Sequence, residues 1–274
     1  MKNLFKNLMR VMMLLLIFNI VTLVSCKSSD EEETPDDKTP EVEIKCTTDS
    51  YPILEGGIYE TMVYTFESNV EGPRLFIMGG THGDEIAGWK AALELVKKTD
   101  WHGSVMLIPQ CNILADTLNQ RYAGANNGGV YNGVTYKDLN RNFPGSPTGD
   151  ATQKIAAAII AEVIKFNPTY AIDLHESRSS ASEGRVGETL IYSNPKSALL
   201  ADEIVTSFNR QYIKGYEKNF STDSNPPAGS FNGYCGTTLK VHAFTIETNR
   251  TLDIDRRIEQ QLQLLNILFD QIWN

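Results

Sequence analysis

Arg74-Leu75-Phe76-Ile77-Met78-Gly79-Gly80-Thr81-His82-Gly83-Asp84-Glu85 is the stretch on which the reading of this chain turns. Its first half is a short apolar run that ends in glycine, the pattern of a buried strand entering a loop. Beyond it, Ile86, Trp89, Ala92, Leu93 and Val96 recur at helical spacing, which predicts a helix over Asp84–Lys98 with acids early and lysines late. The same alternation continues outward. Strands are expected over Ile58–Phe66, Ser104–Pro109, Thr169–Leu174, Glu188–Tyr192 and Leu239–Thr248. Helices are expected over Ala151–Phe166, Ser197–Tyr212 and Asp253–Trp273, the last with an apolar stripe of Ile254, Ile258, Leu262, Leu265 and Leu268. Between them, Cys111–Gly149 is dense in Gly, Asn and Tyr without clear periodicity, and loops of that length are more often functional than idle. Strand–helix alternation of this kind predicts an α/β fold, a three-layer α/β/α sandwich around a mostly parallel or mixed twisted sheet.

The amino terminus stands apart from that pattern. Lys2, Lys6 and Arg10 precede an apolar run, Val11–Val24, that is short for a membrane span. The run closes on Leu23-Val24-Ser25-Cys26, which resembles a bacterial lipobox. We therefore expect residues 1–25 to be a lipoprotein signal peptide and Cys26 to be lipidated. Residues 26–41 form an acidic tether, and 42–274 a single catalytic-sized domain. This places the domain outside the cytoplasm, lipid-anchored to a bacterial membrane on its periplasmic face or at the cell surface. The chain as a whole carries −9, and its acidic body offers no basic footprint for nucleic acid. Cys46, Cys111 and Cys235 remain after Cys26; they allow at most one disulfide, and the sequence does not choose the pair.

His82 and Glu85 lie in the glycine loop, and Asp173-Leu174-His175-Glu176 ends another buried run. Two imidazoles and one carboxylate with an open fourth position are the ligand set of a catalytic zinc, whereas structural zinc sites are closed and cysteine-rich. All three residues are expected at the carboxyl ends of strands, where open α/β sheets collect their ligands. Other polar residues have plainer readings. His102 is a turn residue, and His242, an odd number of positions from Glu247, faces the other side of the strand. Asp84 starts its helix or orients a neighbour, and Glu176 supports the site or touches substrate. Glu247 is a carboxylate inside the apolar strand Ala243-Phe244-Thr245-Ile246, which calls for a reason.

The ordered set Gly79-Gly80-Thr81-His82-Gly83-Asp84-Glu85, Asp138-Leu139-Asn140-Arg141-Asn142-Phe143-Pro144, Asp173-Leu174-His175 and Thr245-Ile246-Glu247 resembles the zinc carboxypeptidase A superfamily. That superfamily includes the succinylglutamate desuccinylase–aspartoacylase branch. The resemblance implies one Zn²⁺ held by His82, Glu85 and His175, with Glu247 as general base. It implies Arg121 at the developing oxyanion, and Asn140 with Arg141 on a substrate carboxylate. Tyr234 is a candidate for the family's substrate-facing tyrosine, although its spacing to Glu247 departs from the animal digestive enzymes. The activity implied is cleavage of an amide bond beside a free carboxylate. The substrate is then either an extracytoplasmic or cell-wall peptide or an N-acyl amino acid. A surface binding protein that kept the fold without turnover is the contrasting possibility.

Overall fold

A computed structural model describes residues 43–179, 186–211 and 220–273. The expected signal peptide, Cys26 and the expected tether lie outside the described residues. A hairpin of β1 (Cys46–Ile53) and β2 (Thr61–Ser68) leads to β3 (Arg74–Gly79), α1 (Ile86–Leu95), β4 (Ser104–Ile108) and α2 (Ile113–Leu118). A small hairpin, β5 (Val130–Tyr131) and β6 (Val134–Thr135), precedes α3 (Ala151–Phe166) and β7 (Tyr170–Ser177). The chain then runs through β8 (Thr189–Tyr192), α4 (Ala198–Gln211), β9 (Ser221–Asp223) and α5 (Phe231–Thr237), and closes with β10 (His242–Asn249) and α6 (Ile254–Ile272).

Eight strands form one mixed sheet in the order β1-β2-β4-β3-β7-β10-β8-β9. Its centre, β4-β3-β7-β10, is parallel, and antiparallel pairs join β2 to β4 and β8 to β10. Parallel strands are covered on both faces, and β3 shows how. Leu75 and Ile77 enter a core with α1, α4 and α6, while Phe76 and Met78 enter a second core with α3 and α5. The three-layer α/β/α reading therefore describes the architecture. Among the described residues no helix is long and apolar enough to cross a membrane.

Local chemistry sets several boundaries. At the head of α3, Asp150 accepts from the Gln153 amide while the Gln153 side chain returns to the Asp150 amide, a reciprocal cap that fixes the start. Asn167 in the left-handed region, followed by Pro168, ends it. In α1, Gly88 lies against β7 so closely that a Cβ would sit 2.3 Å from the Leu174 carbonyl oxygen. The helix that follows Glu85 is thus pressed onto the strand that carries His175.

Several expectations need correction. Helix α1 begins after Asp84 and Glu85 and ends before Lys97 and Lys98, so no acid or base of its own meets its dipole. His175 lies inside β7 and not in a loop beyond it. The "loop" from Cys111 contains α2 and the β5–β6 hairpin, and β1, β9 and α5 were not foreseen. The buried side of α6 includes Gln260, Gln261 and Leu264, while Ile258 and Leu262 are only partly covered. Cys46, Cys111 and Cys235 are all free thiols, within the expected limit of at most one disulfide.

Candidate active site

His82 and Glu85 come from the β3–α1 loop and His175 from β7, its neighbour in the sheet. The three are almost fully buried, and candidate ligand atoms of all three lie within 4.8 Å of one another. Glu85 sits between the imidazoles. Its Oε1 is 2.8 Å from His82 Nδ1 and its Oε2 2.7 Å from His175 Nδ1. Each imidazole turns its other nitrogen to an aspartate, with His82 Nε2 2.9 Å from Asp138 Oδ1 and His175 Nε2 2.7 Å from Asp173 Oδ2. Asp173 is itself held by the Thr81 hydroxyl at 2.9 Å.

This is the arrangement of carboxylate-oriented histidine ligands, in which the outer carboxylate fixes the tautomer and turns the opposite nitrogen inward. Electrostatics agree with it. Burial works against charge on Glu85, yet His82 and His175 hold its carboxyl well below the ordinary range. Burial likewise works against protonated His175, but Asp173 and Glu85 draw its pKa well above the usual value. Glu85 and Asp138 raise the His82 pKa in the same direction, so the carboxylates around both imidazoles favour positive charge there, and a divalent cation would take the place of those protons. The donor set therefore fits a metal ion.

A cavity of about 440 Å³ opens beside these ligands, lined in part by His82, Glu85, Arg121, Asn140, Arg141 and Glu247. Glu247 is in parallel register with His175 across β10 and β7. It is partly exposed to the cavity, and desolvation by the protein packed around it pushes its pKa up to about 7. Arg121 reaches Asp138 at 3.0 Å and Glu85 at 3.3 Å, so its guanidinium lies at the rim of the ligand cluster. Asn140 and Arg141 sit in a short 3₁₀ turn capped by Asp138, which accepts from the Asn140 amide. The Asn140 side-chain oxygen accepts from the Phe231 amide, and Arg141 donates to the Asn140 carbonyl at 2.7 Å. The cavity therefore brings together every proposed metal, base, oxyanion and carboxylate residue except His175, which contacts the lining residue Glu85, and it leaves out Tyr234.

Tyr234 is a correction. It sits on α5 and packs against the Phe76 and Met78 core instead of lining the cavity, because that short helix turns it toward the sheet. The plainer polar residues also have defined places. His102 stacks on Trp273, and His242 stacks on Tyr170 and meets Ser197. Asp84 pairs with Arg250. The Glu176 carboxylate accepts from the Ala87 amide and from Arg257, tying β7 to α1 and α6. Sequence reasoning did not assign Asp138 and Asp173 their orienting roles. The signal was available for Asp173, two positions before His175 and hence on the same face of a strand. Arg178, Asp223 and Thr245, which also line the cavity, carried no comparable signal.

The model of the succinylglutamate desuccinylase/aspartoacylase catalytic domain matches residues 71–267. N-alpha-acetyl-L-2,4-diaminobutyric acid deacetylase of Halomonas elongata is 33% identical over 108 residues, 38% of this chain and 29% of that protein. Among solved structures, the cell shape determinant protein Csd4 of Helicobacter pylori superposes with a TM-score of 0.60 at 20% identity, covering 73% of this chain and 51% of that one. A succinylglutamate desuccinylase/aspartoacylase from Rhodobacter sphaeroides gives 0.59 at 16%, covering 91% and 68%. The chain thus spans less than a third of the curated relative and about half of Csd4. At these identities the structural likeness speaks for the fold, while the domain match covers most of the chain and all four motif segments. On that match, this chain belongs to the succinylglutamate desuccinylase/aspartoacylase catalytic-domain family.

Proposed function

We propose that the domain is a zinc-dependent amide hydrolase, a metallocarboxypeptidase that cleaves the bond next to a free carboxylate on extracytoplasmic or cell-wall peptides. One observation carries the reading. Among the described residues, His82 and Glu85 of a buried His-Glu-His cluster, the register-fixed Glu247 and Arg141, which has no carboxylate partner, all line one cavity. His82, Glu85 and His175 would hold the zinc, which supplies Lewis acidity and lowers the pKa of water. Glu247 takes the proton of the attacking water and returns it to the leaving nitrogen. Arg121 offers its guanidinium to the carbonyl oxygen as charge develops there. Arg141, with Asn140 beside it, grips the substrate carboxylate in the bidentate fork that lysine cannot make. Cys26 as a lipid anchor supports an extracytoplasmic peptide, since breakdown of free amino acids takes place inside cells. The shared fold houses a D,L-carboxypeptidase in Helicobacter pylori.

The second reading is hydrolysis of N-acyl amino acids, favoured by the family match and by the Halomonas deacetylase. Both use the same residues and differ only in what lies on the acyl side of the bond. The test is metal analysis of the purified protein, with product profiles from cell-wall peptides and from N-acetyl and N-succinyl amino acids. Release of a carboxyl-terminal residue from peptides, lost in Glu247→Gln, is the expected result. Turnover of N-acyl amino acids alone would move the assignment to the deacylase. Zinc retained without turnover, and no difference between the two forms, would point to a binding protein.

A further inference from the structure

Among the described residues that line the cavity, one carboxylate is not used by the chemistry above. Glu85 and Asp138 are engaged by imidazoles and Arg121, Glu176 by Arg257, and Glu247 is the base. Asp223, at the end of β9, lines the same cavity, and no ion pair engages it among the described residues. Its Oδ1 accepts from the backbone amide and side-chain amide of Asn225, at 2.9 and 2.8 Å, which sets its orientation and adds no positive charge.

Register fixes where Asp223 lies. Thr245 pairs with Ile191 across β10 and β8, and Ile191 pairs with Asp223 across β8 and β9. All three line the cavity, so they form one row on one face of the sheet. Glu247 is two residues further along the same face of β10. Strands lie about 4.8 Å apart, which puts Asp223 about 10 Å from Thr245 at the end of that row. A side chain leaving the reacting centre along this floor passes Thr245 and Ile191, an uncharged pair, and then meets a carboxylate. That reach suits a cation on a four-carbon stem.

We propose that Asp223 selects substrates in which the residue on the carboxylate side of the scissile amide is a diamino acid. Its α-carboxylate rests on Arg141 and Asn140, and its distal ammonium on Asp223. The inference deepens the hydrolase reading and rests on it for the orientation of the substrate. It holds for a peptide and for an N-acyl amino acid alike.

The test compares substrates identical except for a terminal lysine or norleucine, using the zinc-loaded full-length protein. A charge-assisted contact predicts a lysine preference in kcat/KM of about 10- to 100-fold. In Asp223→Asn the lysine-to-norleucine ratio should fall to near one, and Asp223→Arg should turn the preference toward glutamate. Because each ratio is taken within one protein, partial misfolding lowers both rates and leaves it intact. A wild-type ratio near one, or a ratio unchanged in Asp223→Asn, overturns the proposal. Calorimetric binding of free lysine and norleucine separates it from the hydrolase reading. Lysine preference lost in Asp223→Asn, in a protein that turns over nothing, keeps the subsite and discards the hydrolase. No binding preference discards the subsite.

Discussion

The two ends of the cavity are built differently. At the ligand end, Glu85, His82, His175, Asp138 and Asp173 hold one another through short contacts, and the imidazoles and Glu85 are sealed from solvent. Elsewhere in the lining, Arg141, Arg178 and Asp223 have no ion-pair partner among the described residues. The contrast separates two tasks. Preorganised groups that need not rearrange favour a chemical step, while unpaired charges facing solvent are left for a substrate to satisfy. Predictions follow from pressing on each end in turn.

The largest effect is expected from Glu247→Gln, which keeps the shape and removes the base. It should lower kcat by about 10²- to 10⁴-fold with metal content unchanged, measured by steady-state kinetics beside elemental analysis. Metal lost together with activity would show that Glu247 belongs to the pinned cluster. Asp173→Asn, which weakens the orientation of His175, should lower metal affinity by about 10- to 100-fold in a chelator competition. Unchanged affinity would mean that the pinned end does not depend on its outer carboxylates.

Gly88→Ala tests the packing beneath that end. The new methyl meets the Leu174 carbonyl, so α1 must lift from β7, with a loss of about 1–3 kcal/mol in denaturant unfolding. Arg141→Lys tests the open end and should act on KM more than on kcat, about tenfold, since it removes a bidentate contact. A fall in kcat alone would place Arg141 with the chemistry. The pH profile should show the smallest change. Glu247 works deprotonated, so activity climbs with pH on the acid side. Burial sets its pKa near 7, and a cation at the triad draws it lower. The acid limb of kcat/KM therefore falls below 7 and disappears in Glu247→Gln.

The pinned end was far more legible in the sequence than the open one. His82, Glu85 and His175 stand out because short apolar runs deliver them, the first ending in Gly79-Gly80, and α3 matches its expected bounds because Asp150 and Asn167 mark them. Elements held by tertiary contacts were not readable. Strand β1 is an exposed, polar edge strand without alternation, recognisable only by its pairing with β2. Helix α5 contains two glycines, and it forms because Ser230 caps it and Phe231 is fully buried. Gln261 broke the apolar stripe expected of α6. It is buried because its amide donates to the His175 carbonyl at 2.7 Å, a partner on a distant strand. Asp223 lies on a three-residue strand, and its significance comes only from register with Ile191 and Thr245.

The pairing of Glu247 with His175 has a consequence of its own. Because both are rungs of one parallel ladder, the gap between the base and the ligand cluster is set by the peptide lattice rather than by side-chain choice. Moving one relative to the other means sliding a whole central strand and exchanging the faces of all its residues. An engineer who wishes to retarget this protein can therefore redesign the distant rim, loops included, while the cutting distance stays as the sheet dictates.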